Sequence, residues 1–219
     1  MLKLAKRSDL TAYPFASYVC GSLQKALYDE EYADDKDYTA CFDLIGTASD
    51  VSYGSTGSLL LSLNESSLMT YEQRLPVAVT SFFQALGCNV LTTTLVLNTD
   101  WGLQKSSYEP AREALKILSG ITGKQFTGIL LSDYTDHSKL VVSLFRLTRY
   151  CASLPQILSV WEEGRTVFSI CKYGTLHAEC YDKHIQKKVT AAAEAAGFSV
   201  ITDEHDFNDD SLNNRKLLL

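Results

Sequence analysis

The sequence predicts an α/β fold, with a mostly parallel or mixed sheet of about six strands flanked by helices and a strand order left open. Two observations support this class. From Leu59 to Thr202, short aliphatic or β-branched runs alternate with longer amphipathic stretches. These stretches are long enough to hold a helix, and a crossover between parallel strands needs about a dozen residues or more. We therefore expect a single α/β domain over residues 1–219, with a looser N-terminal portion (1–57) and an extended C-terminal tail (203–219).

The N-terminal elements are predicted from one apolar stripe and one loop-rich segment. Pro14 begins a helix whose apolar residues recur at steps of three and four, because proline suits the first helical turn. A strand is expected over 38–45. Residues 46–57 are rich in Gly, Ser and Asp and predict a loop. The next strand, 58–63, is open to antiparallel pairing with the previous one, since no helical periodicity separates them.

The alternation of helices and strands continues to the C-terminus. Thr70 and Gln73 have capping-box spacing, and Gly87 suits the end of the helix that follows. Asp136 is a suitable N-cap for a later helix, which Pro155 ends. The other predicted elements are a strand at 89–97, a helix from Pro110, strands at 126–131 and 166–171, a long helix at 176–196 and a strand at 198–202.

Composition limits the classes of partner and the location. The formal net charge of −6 and a pI near 5.2 argue against nucleic-acid binding, which depends on clustered Lys and Arg. We see no apolar run near the roughly 20 residues of a membrane helix, and the N-terminus lacks a signal-peptide pattern. The six cysteines are scattered without a CxxC pair, as expected of reduced thiols. We therefore expect an acidic cytoplasmic protein that contacts neither membrane nor nucleic acid.

Polar residues after the predicted strands are the candidate catalytic residues. In a parallel sheet, ligands bind beyond the carboxyl ends of the strands. The residues expected to gather there are Asp100, Asp133, His137, Lys172 and His177. Such carboxylates could bind Mg²⁺ or perform acid and base chemistry. The competing interpretation is that Asp at the end of a strand caps the next helix.

One short motif raises the question of zinc. His177-Ala178-Glu179 resembles the motif of zinc-dependent nucleoside and nucleobase deaminases, a resemblance that implies a zinc-binding His and a proton-shuttling Glu. That family needs a later cysteine pair, and no cysteine follows Cys180. On the predicted helix, Cys180 and His184 would share a face and could bind a metal with help from elsewhere, or simply form its polar edge. No cofactor is predicted; Mg²⁺ and Zn²⁺ are the ions left open.

Two classes of function follow. The first is a binding, regulatory or assembly protein that contacts another protein or itself. Twelve tyrosines and the apolar terminus Leu217 to Leu219 support it, since both are common at interfaces. The alternative is an enzyme acting on a small or phosphorylated substrate, possibly with Mg²⁺. The sequence contains no GxGxxG, GxxxxGK[ST] or GxSxG motif, which favours the first class.

Overall fold

A computed structural model describes residues 2–32, 40–47, 52–65, 67–101, 107–123, 126–150 and 156–203. Helices and strands alternate along most of this range. The strands are β1 Lys3–Lys6, β2 Gly57–Ser62, β3 Val90–Leu95, β4 Gly128–Asp133, β5 Ile157–Trp161, β6 Thr166–Ile170, β7 Leu176–Cys180 and β8 Ser199–Asp203. The α-helices are α1 Pro14–Leu27, α2 Leu68–Leu86, α3 Glu109–Thr122, α4 His137–Tyr150 and α5 Lys183–Ala195. Short 3-10 helices cover Arg7–Ala12 and Ile45–Thr47, and a π-helical turn covers Tyr28–Tyr32.

The strands form one eight-stranded sheet in the order β1-β4-β3-β5-β6-β7-β2-β8. Every described pair of neighbouring strands is antiparallel. The mixed helix and strand composition is thus confirmed, whereas the mostly parallel sheet of about six strands is wrong. The β1 strand brings the N-terminal portion into the same sheet through its pairing with β4.

The wrong prediction of parallel strands arises from the helical connections between strands. The helices α2, α4 and α5 each join two strands that point in the same direction, as a parallel crossover would. Other strands lie between the two partners, however: β3 separates β4 from β5, β2 separates β7 from β8, and three strands, β5 to β7, separate β3 from β2. Periodicity and spacing identify the crossover but carry no information about which strand is inserted.

Two predicted elements are also corrected. The strand expected at 38–45 is absent from the part that the structure describes, where residues 40–41 and 45 are in 3-10 conformation and residues 43–44 form a turn. The helix expected at 176–196 is two elements, β7 and α5. Within β7 the side chains alternate between the two sheet faces, and the helix begins only after Asp182, whose carboxylate accepts the backbone N–H groups of His184 and Ile185 at 2.7 and 3.1 Å.

Helices cover the two faces of the sheet unequally. We call the face beneath α2, α3, α4 and α5 the helical face, and the face beneath α1 the N-terminal face. On the helical face α4 lies between two neighbours, with Phe145 packed in the cluster of α2 and Leu147 in that of α3. On the N-terminal face Phe15 and Val19 of α1 pack against strands β4, β5 and β6. Burial on both faces explains why strand positions are apolar on either side.

Two polar contacts fix the N-terminal segments on the sheet. The buried guanidinium of Arg7 binds the Asp43 carboxylate and also the carbonyl oxygens of Leu95 and Val96. The helix α1 has no side-chain cap of its own. Its first N–H groups, those of Phe15 and Ala16, donate instead to the Glu162 carboxylate at 2.7 and 3.1 Å. A residue distant in the chain therefore supplies the hydrogen-bond acceptors that the residues before α1 do not provide.

The described helices include none that is both long and apolar enough to cross a membrane.

Candidate functional site

The main candidate site is a cavity of about 700 Å³ on the helical face, between the C-terminal half of α4 and strands β5 to β7. We call it the α4 cavity. Most of its inner wall is apolar, and polar side chains lie around it. The apolar lining residues are Val141, Leu144, Ile157, Phe168, Ile170 and Leu176. The other described lining residues are Thr148, Arg149, Tyr150, Gln156, Ser159, Ser169, Cys171 and Lys172.

The cavity exists because α4 is held by its neighbouring helices. Phe145 faces the α2 side of the core and Leu147 the α3 side, so α4 is fixed from both flanks. Beneath its last turns the sheet presents the smaller side chain of Ser159, whose hydroxyl lies 2.8 Å from that of Thr93. A short polar residue under a helix fixed from the sides leaves space that a larger apolar residue would fill.

Two cations, Arg149 and Lys172, lie at the polar side of the α4 cavity. The Arg149 Nη1 donates to the backbone carbonyl of Lys172 at 2.9 Å, which joins α4 to the β6–β7 turn. The Nε of the same guanidinium is buried with no hydrogen-bond partner. Within the described ranges neither cation forms an ion pair, and none of the described lining residues is acidic. The polar side of this cavity therefore carries uncompensated positive charge.

The β6–β7 turn that carries Lys172 is held by Tyr71 of α2. The buried Tyr71 hydroxyl donates to the Gly174 carbonyl at 2.5 Å, and burial raises the pKa of this phenol. Gly174 has φ +84°, and a Cβ added there would lie 2.7 Å from the Tyr71 ring. Both the conformation and the close approach require glycine. The turn that carries Lys172 is thus fastened to α2 at Gly174.

Tyr150 and Tyr108 form a pair near Arg149. Their hydroxyls are 3.3 Å apart and their ring centroids 4.0 Å apart. Burial, together with the Tyr108 hydrogen bond, raises the pKa of Tyr150 to about 12. Tyr150 is therefore a neutral phenol near pH 7, able to donate a hydrogen bond but unsuited to act as a base.

The structure separates several of the candidates that the sequence placed together. Asp133 ends β4 opposite Val90, at the start of β3. Asp100 lies at the other edge, because the N–H of the adjacent Trp101 donates to Phe126, just before β4. Lys172 follows β6 at this second edge. The expected convergence of Asp100 and Asp133 is therefore wrong, since in an antiparallel sheet successive strands end at opposite edges.

His137 has a structural environment. It is fully buried, its Nε2 donates to the Cys88 carbonyl at 3.1 Å, and its Nδ1 accepts from the Ser132 hydroxyl at 2.8 Å. Burial lowers the pKa of this imidazole, so it is neutral at pH 7. Both ring nitrogens serve to join β4, α4 and the segment before β3, which leaves neither directed to a ligand.

His177 lies on the N-terminal face and lines a second, smaller cavity of about 320 Å³ beside α1. Glu179 and Tyr181, which alternate with it along the chain, also line this cavity. Burial lowers the pKa of His177, and burial followed by the charge of Glu179 raises the pKa of Tyr181. The sheet thus stands between His177 and the α4 cavity, and the two sequence candidates His177 and Lys172 belong to different sites.

The suggested metal pair rested on a helix that is not present. Cys180 is a buried residue of β7 facing the helical side, whereas His184 lies in the first turn of α5. Burial raises the pKa of Cys180 to about 11, so its thiol stays protonated. Among the described residues, no three His, Cys, Asp or Glu side chains are grouped so that they could hold a metal ion. The premise that Cys180 and His184 share one helical face is therefore wrong.

Sequence patterns did not indicate Arg149 and Tyr150. Both lie in the last turn of an amphipathic helix, where Arg and Tyr are common on the solvent side. Arg149 differs from Arg146, one turn earlier, only in its surroundings: Arg146 binds the carboxylates of Glu72 and Glu113. Tertiary structure alone distinguishes the two arginines.

The fold and the site define a mixed helix and strand protein with one eight-stranded antiparallel sheet and a partly cationic cavity under its central helix. Comparisons of this chain with protein-family models, with curated proteins and with solved structures find no match.

Proposed function

We propose that this is a binding protein that takes a small ligand with an apolar part into the α4 cavity. The observation that carries the proposal is the cavity itself. Its volume of about 700 Å³ lies inside the range of roughly 300 to 1,000 Å³ typical of ligand pockets. Its lining combines an apolar part, which can give affinity through burial, with polar groups that can orient a ligand.

The proposal differs both from the class that the sequence favoured, a protein that contacts another protein or itself, and from the enzymatic alternative. An enzyme acting on a small or phosphorylated substrate was expected to combine Asp100 and Asp133 in one crevice, and these two residues lie at opposite edges of the sheet. Any chemistry in the α4 cavity would have to come from its own lining.

A neutral apolar dye tests the proposal. Phenylnaphthylamine fluoresces strongly in apolar surroundings, and we expect saturable binding with a single site per chain. Thr148 lines the cavity, so Thr148→Trp should fill it and abolish the binding. Lys139 is exposed on the same helix and outside the lining, so Lys139→Trp is the matched control and should leave the binding unchanged. Equal dye binding by both variants would refute the site.

Contacts with a protein partner, or self-association, are a second proposal from the sequence. Tyr134 and Tyr173 are 53% and 48% exposed, and tyrosine is favoured at interfaces. The terminus Leu217 to Leu219 lies outside the described residues. Size-exclusion chromatography of the full chain and of a chain lacking these three residues tests the tail. An unchanged monomer with unaltered partner binding would exclude it as an interface. The cytoplasmic location also stays a prediction.

A further inference from the structure

We infer that the α4 cavity selects organic anions, and that Arg149 and Lys172 hold the anionic group of the ligand. This inference rests on the proposed function. The ligand class is a carboxylate, sulfonate or phosphate monoester on an apolar body, with the oxyanion at the polar side and the body against Leu144 and Phe168.

The first argument concerns the guanidinium of Arg149, which lines the α4 cavity. A guanidinium has five N–H donors in a planar fork suited to two oxygens of one oxyanion. Nη1 donates to the Lys172 carbonyl at 2.9 Å. Nε is closed to solvent, as is the Nε of Arg146, so an oxyanion in the cavity would meet the Nη end of the guanidinium.

The second argument is the contrast between Arg149 and Arg146. The guanidinium of Arg146 has Glu113 Oε2 at 2.9 Å and Glu72 Oε2 at 3.3 Å. The same helix therefore carries one arginine neutralised by two carboxylates and, one turn later, one arginine without any in the described ranges. Arg146 joins α4 to its neighbouring helices, and its charge is not available to a ligand. Arg149 is available.

The third argument is the charge of the lining. Arg149 and Lys172 are both cations, and the described lining residues include no Asp or Glu. Tyr150, whose hydroxyl donates to that of Tyr108, is a neutral side chain that does not repel an anion. The formal net charge of the whole chain is −6, so attraction of an anion to this point is a local property. The hydrogen bond from Arg149 to the Lys172 carbonyl keeps the two cationic residues on one side of the cavity.

The test compares two dyes with the same aromatic body. Anilinonaphthalene sulfonate carries a sulfonate, and phenylnaphthylamine is neutral. We expect the native chain to bind the sulfonate dye more tightly. Replacing Arg149 by Met keeps an unbranched stem without charge, so Arg149→Met should weaken the sulfonate dye about tenfold or more. The neutral dye should change by no more than about twofold, since its contacts are apolar.

Control variants separate this inference from effects on folding. Lys172 is exposed, so Lys172→Met should not affect the fold and should weaken only the sulfonate dye, more at low salt than at high salt. Arg112, an exposed arginine of α3 outside the lining, provides the matched control Arg112→Met, which should affect neither dye. Circular dichroism checks that each variant is folded.

The outcomes distinguish the two proposals. If the neutral dye binds in the cavity but both dyes respond equally to Arg149→Met and Lys172→Met, the inference is wrong and the binding function stands. If the sulfonate dye still binds fully to Thr148→Trp, it binds elsewhere and the inference is also wrong. If neither dye binds the native chain, the proposed function itself fails.

Discussion

Replacement of Arg7 by Met should destabilise the protein by about 3 kcal/mol. The side chain is only 9% exposed, and its guanidinium has five oxygens within 3.2 Å. They belong to the Asp43 carboxylate, which supplies two, to the Thr94 hydroxyl and to the carbonyls of Leu95 and Val96. The substitution removes the guanidinium N–H groups that donate to these oxygens and leaves an apolar side chain among them.

The expected magnitude depends on which acceptors keep another donor. Gln24 Nε2 still donates to Asp43 and to the Val96 carbonyl, at 2.9 and 2.7 Å. Among side-chain donors, the Leu95 carbonyl keeps the Thr94 hydroxyl at 3.3 Å. Breaking a buried ion pair costs about 3 to 5 kcal/mol. We expect the lower end, because the Asp43 side chain is 24% exposed and water can solvate it.

Urea denaturation, followed by circular dichroism and by tryptophan fluorescence, measures this change in the free energy of unfolding. Arg112→Met is the control, since the Arg112 and Glu109 side chains are exposed and 3.9 Å apart, and its cost should stay below about 0.5 kcal/mol. A loss below about 1 kcal/mol in Arg7→Met, at an unchanged m value, would refute the argument. The double variant with Gln24→Met should show non-additive losses, because both side chains serve Asp43.

Three further outcomes are expected. Tyr71→Phe should lose about 1 to 3 kcal/mol in urea denaturation, since the Gly174 carbonyl loses its buried donor. Gly174→Ala should exceed Tyr71→Phe in cost, because it combines a positive φ with a contact of 2.7 Å, and equal stability to the native chain would contradict the geometry. Burial lowers the folded-state pKa of His137 below its ordinary value of 6.5, so its stabilising contribution is fully present above about pH 6.5 and is lost as the pH falls from there through the lowered folded-state pKa. Unfolding free energies measured from pH 7 to 5 should decrease, and less so in His137→Gln; equal slopes in the two proteins would exclude His137 as a cause.

Most elements could be predicted from the sequence because their signals are local. The helix from Pro14 and the helix that ends before Gly87 both follow from periodicity and from turn residues. The segment from Leu176 to Cys180 was mistaken for helix because five residues fit either period, and only the burial of alternate side chains identifies a strand. Strand direction depends on the partner across the sheet, and no local pattern carries that information.

The candidate site was less predictable than the fold. The place of Lys172 after a strand predicts a site residue, and Lys172 does line the α4 cavity, although its role stays a prediction. Asp100 and Asp133 were grouped on the assumption of parallel strands, and the antiparallel register separates them. Arg149 lacked any distinguishing pattern, since only the positions of Glu72 and Glu113 in space show that it has no carboxylate partner.

The carboxylate of Glu162 at the start of α1 has a consequence for the order of folding. Phe15 and Glu162 are 147 residues apart in the chain, so α1 obtains its cap only after the β5–β6 turn has formed. During synthesis α1 emerges long before that turn. Until the turn forms, these residues are an uncapped helix or a disordered segment. We expect α1 to dock late, after the rate-limiting barrier. Glu162→Gln should therefore accelerate unfolding while leaving the refolding rate nearly unchanged.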